Sequence, residues 1–173
     1  MIRPCREEDF EALLAIVNDA AVAYRGVIPD DCWSDPYMPV EELTGEVRTG
    51  IAFWVYEEGG RLLGMMGLQE VGDVVLIRHA YVRTAHQGRG IGSQLLENLA
   101  ARATAPLLVG TWADATWAIR FYERHGFRLV PAEEKDRLLG CYWSIPSRQM
   151  DSSVVLADRS WWERPNSEAT VRR

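Results

Sequence analysis

At 173 residues the chain is about one domain long, with enough sequence for a core of its own. Its 47% hydrophobic and 25% charged residues are those of a globular protein, and no apolar run approaches the ~20 residues a membrane span needs. A net charge of −6 argues against nonspecific nucleic-acid binding, and the widely spaced Cys5, Cys32 and Cys141 suggest neither a disulfide framework nor a metal site.

The N-terminus, MIRPCREEDF, lacks the apolar region of a secretory signal, so a reducing cytoplasm is the expected location. Met1 to Cys5 reads as a short strand. Glu7 to Tyr24 reads as an amphipathic helix, because Phe10, Leu13, Leu14, Val17, Ala21 and Tyr24 recur at three- and four-residue steps. Its acidic start suits the helix dipole, and Gly26 stops it. A long proline-broken stretch follows, carrying Tyr24, Trp33, Tyr37 and Met38, of the kind that is often functional. Glu41 to Thr49 reads as a second helix. Ile51 to Tyr56 and Arg61 to Gln69 are expected to form a hairpin through Gly59-Gly60.

The chain is organised around residues 74–93, VVLIRHAYVRTAHQGRGIGS. A β-rich run breaks into a polar loop, and Gly88, Gly90 and Gly92 then open a helix whose apolar face carries Ile91, Leu95, Leu96, Leu99 and Ala103. A glycine loop feeding a helix start offers unpaired N–H groups and the positive end of the dipole, which is a site for a phosphate. The spacing G-x-G-x-G, set five residues beyond the strand, is not the dinucleotide fingerprint, and the lysine of a P-loop is missing before Ser93. Further on, Leu107 to Thr111 reads as an apolar strand, Thr116 to Arg124 as a helix capped by Gly126, and Phe127 to Val130 as a strand. Glu133 to Gly140 reads as charged and irregular, and Ser153 to Ala157 as a final strand. The domain is expected to span 1–160, with 161–173 as a polar tail that carries Trp161 and Trp162.

The string V-R-x-x-x-Q-G-R-G-I-G resembles the acetyl-coenzyme A pyrophosphate loop of the GNAT superfamily of N-acetyltransferases. A-I-R-F-Y-E-R-H-G-F, Ala118 to Phe127, resembles a second signature of that family. The resemblance implies an α/β (α+β) fold: a mixed, mostly antiparallel twisted sheet flanked by helices, with a splayed central strand pair. It implies acetyl-CoA as cosubstrate, held by Gln87, Gly88, Arg89, Gly90, Ile91, Gly92 and Ser93, with the pantetheine arm paired to Tyr81, Val82 and Arg83. It also puts Tyr122 near the coenzyme sulfur, as general acid to the departing thiolate.

For the general base there are two candidates, His79 on the organising strand and Glu70 at the end of its neighbour. Alternation puts His79 on the face of Tyr81, opposite Ala80 and Val82. The family often has Asn where this chain has Ala115. The acceptor is expected between the segment from Tyr24 to Met38 and that from Leu139 to Ile145, where Asp30, Asp31, Asp35, Glu41, Glu42 and Glu46 would attract a cationic amine. The expected activity is transfer of an acetyl group to a primary amine by direct attack, with no metal and no covalent enzyme intermediate, since no cysteine sits in a nucleophile setting. The acceptor stays open among protein N-termini, lysine, antibiotics and small metabolites. A homodimer is expected as common in such folds, with a contribution from the tryptophan-rich tail. A non-catalytic CoA-binding regulatory module is the alternative.

Overall fold

A computed structural model describes residues 1–164 of the chain. One seven-stranded sheet runs in the order β1-β2-β3-β4-β5-β7-β6. Its strands are β1 (Ile2–Pro4), β2 (Ala52–Glu58), β3 (Arg61–Val71), β4 (Val74–Val82), β5 (Leu107–Trp112), β6 (Arg128–Leu129) and β7 (Ser153–Ala157). All neighbours are antiparallel except β4 and β5, which the crossover helix α3 (Ile91–Ala100) joins in parallel.

α1 (Phe10–Ala20) and α2 (Val40–Arg48) cover one face of β2 to β4, where Leu13, Ile16, Val17 and Leu43 bury against Phe53, Val55 and Met65. On the opposite face α3 seals Ile91, Leu95, Leu96 and Leu99 against Leu63, Met66 and Ile77, with Tyr122 and Phe127 completing the layer. β3 is therefore buried on both sides, which explains its unbroken apolar run Leu62–Gly67. α4 (Thr116–Arg124) follows β5 with the bounds expected from the sequence. Among the described residues no helix is long and apolar enough to cross a membrane.

Glu133 to Gly140 is not irregular. It belongs to a helix, α5 (Ala132–Tyr142), which starts after Pro131 with Glu133 and Glu134 in its first turn. Glu133, Asp136 and Arg137 are exposed on that helix and Lys135 donates to the Met150 carbonyl, while Leu138 and Leu139 bury against β7. α6 (Ser147–Asp151) follows Pro146, and α7 (Arg159–Trp162) is capped by the Asp158 side chain, which accepts from the Trp161 N–H. Trp161 and Trp162 pack on the β7 cluster, so they serve this chain's own fold. The rest of the expected tail, 165–173, lies outside the described residues.

The N-terminal strand is tied to α1 by Arg3, which donates to both carboxylate oxygens of Asp9 at 2.7 and 3.0 Å. That bond, aided by the Arg6 N–H, outweighs burial and pulls the Asp9 carboxyl down to about 2. Because the folded value lies below the unfolded one, the contribution is fully present above about pH 4 and is lost as pH falls toward 2. Asp9→Asn is expected to cost roughly 2 kcal/mol at neutral pH, with a difference from wild type that vanishes in acid. Urea melts at pH 7 and at pH 2 or below check this.

Candidate active site

β4 and β5 pair only over Val75–Ile77 and Leu107–Val109. Beyond that register they part, β4 running on to Val82 and β5 to Trp112. The gap opens into a cleft of about 910 Å³ between the α1/α2 side, the glycine loop, α4 and the α5/α6 segment.

At one end of this cleft lies the loop that enters α3. Gly88 and Gly90 have φ of 76° and 77°, a left-handed backbone that side chains disfavour. A Cβ at Gly88 would meet nothing within 4 Å, so the space above the loop is free for a ligand. α3 has no side-chain cap, and its first intrahelical bond is Gln94 N–H to Gly90 C=O at 3.0 Å. The N–H groups of Ile91, Gly92 and Ser93 are thus unspent within the helix and available to an anion. The loop is fixed at its base by Asp19, which accepts from the Thr84 N–H at 2.6 Å, and by the Gln87 amide, which donates to the Val82 carbonyl at 3.1 Å.

Two expected contacts fall elsewhere. Arg89 is turned out of the cleft, where both Glu58 oxygens accept from it at 2.9 and 3.0 Å and His86 Nδ1 accepts at 2.9 Å. Arg83 donates its side chain to the Leu62 carbonyl and its N–H to the Leu63 carbonyl, which spends it on β3. Arg124, on the last turn of α4, lines the cleft and has no ion pair among the described residues.

The Arg83 bond also orients its neighbour. Arg83 and Tyr81 face β3, where Tyr81 stands opposite Met65, so alternation turns the Val82 N–H toward the gap. Behind it, four phenols share the cleft wall: Tyr24, Tyr37, Tyr81 and Tyr122. Burial pushes the Tyr122 phenol well above its ordinary value, and Tyr24 adds to the effect. Burial and then Tyr37 carry Tyr24 up to about 12 and raise Tyr81 as well. At neutral pH all remain protonated and able to donate. Tyr24 and Tyr81 stand 57 residues apart in the chain, and no local pattern could have joined them.

His79 also lines the cleft, on the face of Tyr81, with ring centroids 6.4 Å apart. Simple alternation would have put Arg78 on the other face. The register slips between Met65 and Gly67, where β4 inserts a residue and His79 takes φ +50°. The bulge turns Arg78 and His79 to one side, and both approach Glu46 of α2. The rival base Glu70 is not in the cleft: it stands opposite Val75, at the start of β4, roughly 20 Å from Tyr81 by strand rise, within reach of the Thr104 hydroxyl.

The acceptor side combines both expected segments. Tyr24 and Tyr37 come from the first, and Leu139, Trp143 and Ile145 from the second. Trp143 lies 3.5 Å from where a Cβ on Gly110 would sit, so its indole lies directly over β5. Half of the expected acidic patch is paired: Asp31 with Arg148, Asp35 with Arg25 and Glu46 with Arg78. Ala115 is fully buried beside Ile28 and Trp112, so its methyl fills a packed layer where an amide would crowd it.

Residues 49–129 match the family model of the acetyltransferase (GNAT) domain. The chain is 25% identical over 136 residues to peptidyl-lysine N-acetyltransferase YiaC of Escherichia coli (strain K12), covering 79% of this chain and 88% of that relative. The structure of PaiA N-acetyltransferase from Thermoplasma acidophilum in complex with coenzyme A aligns with a TM-score of 0.69 at 17% identity, over 91% of this chain and 97% of the other. YncA of Salmonella typhimurium, solved with its cofactor acetyl-CoA, aligns with a TM-score of 0.58 at 24% identity, over 76% and 80%. The glycine loop and the splayed strand pair both lie within the stretch, residues 49–129, that matches the acetyltransferase (GNAT) domain.

Proposed function

We propose that the protein transfers the acetyl group of acetyl-CoA to a primary amine by direct attack, both substrates being bound at once. The observation that carries this is the confluence, in one cleft, of an uncapped helix start, a strand gap and a protonated phenol. The unspent N–H groups of Ile91, Gly92 and Ser93 suit the pyrophosphate, and the gap between β4 and β5 suits the pantetheine arm. Arg124, rather than Arg89, supplies a charge-assisted contact.

The Val82 N–H stabilises the oxyanion that develops on the thioester carbonyl. His79 takes a proton from the ammonium form of the acceptor, and the freed amine attacks the carbonyl carbon. As the carbon–sulfur bond breaks, Tyr122 gives its proton to the sulfur and recovers one from the amide nitrogen. The products are the amide, CoA thiol and one proton released to solvent. Tyr24, Tyr37, Trp143 and Ile145 hold the acceptor. The likeness to YiaC makes a lysine peptide the first amine to try. Free cysteines and the absence of a spanning helix among the described residues fit a cytoplasmic enzyme.

A thermal-shift panel with acetyl-CoA, CoA, ATP and NAD tests the binding half of this reading. A ligand at ~100 times its dissociation constant adds about 2.7 kcal/mol of apparent stability, and only the CoA compounds are expected to do so. Arg124→Ala is expected to weaken acetyl-CoA binding about 10-fold and Arg89→Ala far less. Stabilisation by ATP or NAD alone overturns the assignment of the loop.

A further inference from the structure

His79 holds the only buried side-chain nitrogen or oxygen, among the described residues, that lacks a hydrogen-bond partner: its Nε2. It is also the only described non-glycine residue with positive φ, at +50°. A buried orphan on a strained backbone calls for a physical reason. Nε2 points at α2, where Glu46 Oε2 lies 3.4 Å away, within ion-pair range but short of a formed hydrogen bond. Glu46 is itself held on both oxygens by Arg78, at 2.9 and 3.0 Å, and Gln69 accepts from the same guanidinium at 2.7 Å. Burial pushes the Glu46 carboxyl up, but the His79 ring and the Arg78 charge outweigh it and leave it below the usual range, hence ionised. Glu46 does not line the cleft, whereas His79 does.

We infer that Glu46 is a positioning residue that acts on the acceptor through His79. This rests on the reading of His79 as the base. The carboxylate, at ion-pair range, favours the proton on Nε2 and so selects the tautomer that leaves the Nδ1 lone pair free. When Nδ1 takes the proton of the acceptor ammonium, the carboxylate stabilises the imidazolium, and the 3.4 Å approach closes into a hydrogen bond. The bulge at His79 is what makes this arrangement available. It puts Arg78 and His79 on the same side of β4, so that one neighbour pins the carboxylate and the other uses it. The titratable and charged groups that face the imidazole are Glu42 and Glu46 of α2 with Arg78 and Tyr81 of β4, and β2 presents the uncharged ring of Phe53.

The test is the pH profile of kcat/KM for Glu46→Gln and His79→Gln, each first shown to bind acetyl-CoA by thermal shift. Glu46→Gln is expected to lower kcat on the order of 10-fold, part of the 10²–10⁴ that proton transfer contributes as a whole, and to move the acid limb to lower pH. Glu46→Asp is expected to keep the limb near its wild-type position, because the charge remains. His79→Gln is expected to remove the limb. If His79→Gln removes the limb while Glu46→Gln leaves both limb and kcat unchanged, the pairing is wrong and the base stands. If His79→Gln keeps the limb, the base reading itself fails.

A second measurement needs no variant at Glu46. Nitrogen-15 NMR of the histidine-labelled wild-type protein, assigned with His86 and His125 variants, is expected to show Nε2 protonated and Nδ1 bare at high pH. The opposite tautomer overturns the inference.

Discussion

Tyr122→Phe is expected to lower kcat about 100-fold while leaving the KM for acetyl-CoA and the melting temperature close to wild type. The substitution removes one oxygen and keeps the ring, whose edge-on contacts with Phe121 and Phe127, at 5.0 and 5.6 Å between centroids, do not involve the hydroxyl. What disappears is the donor to the leaving thiolate. Because burial holds the phenol protonated far beyond neutrality, its loss is expected at every pH up to 9, with no basic limb from this residue in that range. A thioester whose thiol is more acidic needs no proton on departure, and it should recover most of the rate. A Phe variant that turns over acetyl-CoA at the wild-type rate would leave Tyr122 as a packing residue.

Gly90→Val is expected to act on binding rather than on chemistry. Gly90 sits at φ 77° immediately before α3, where a β-branched residue is strained by about 1–3 kcal/mol. The KM for acetyl-CoA should rise about 10- to 100-fold, because the free loop relaxes out of the left-handed conformation and binding must restore it. The melting temperature should fall by a few degrees, as about 1 kcal/mol shifts a domain of this size by 2–4 °C. Gly90→Ala, with a smaller group in the same conformation, should lie between. Steady-state kinetics with acetyl-CoA varied, alongside thermal melts, separate the two effects. Equal KM values for all three proteins would mean that this loop does not hold the coenzyme.

The parts of this molecule that were legible in the sequence share a property: their signal is local. The strand of Val74–Val82, the glycines after it and the apolar face of Ile91–Leu99 declare themselves within one continuous stretch, and they fix where β4, the loop and α3 lie. The Tyr122 helix is equally local. α5 was missed because its apolar side is only Leu138, Leu139 and Tyr142 behind a run of charges, too short for a periodicity to emerge. Arg89 was misplaced because its partner, Glu58, is 31 residues away at the end of β2. Glu70 is a candidate base by sequence because it ends a strand next to β4, yet antiparallel pairing carries that end away from the gap. The Glu46–His79 approach needed two things invisible in one sequence, a bulge in β4 and the docking of α2 over it.

The reaction itself is best tested by following CoA thiol release from acetyl-CoA against a panel of primary amines that begins with a lysine peptide, varying both substrates. Thiol should appear only when an amine is present, in equal amount to the acetylated product, and reciprocal plots should intersect. Thiol released as a burst without amine, with parallel plots, would mean an acetylated enzyme. CoA binding with no thiol release from any amine would mean a non-catalytic binding module.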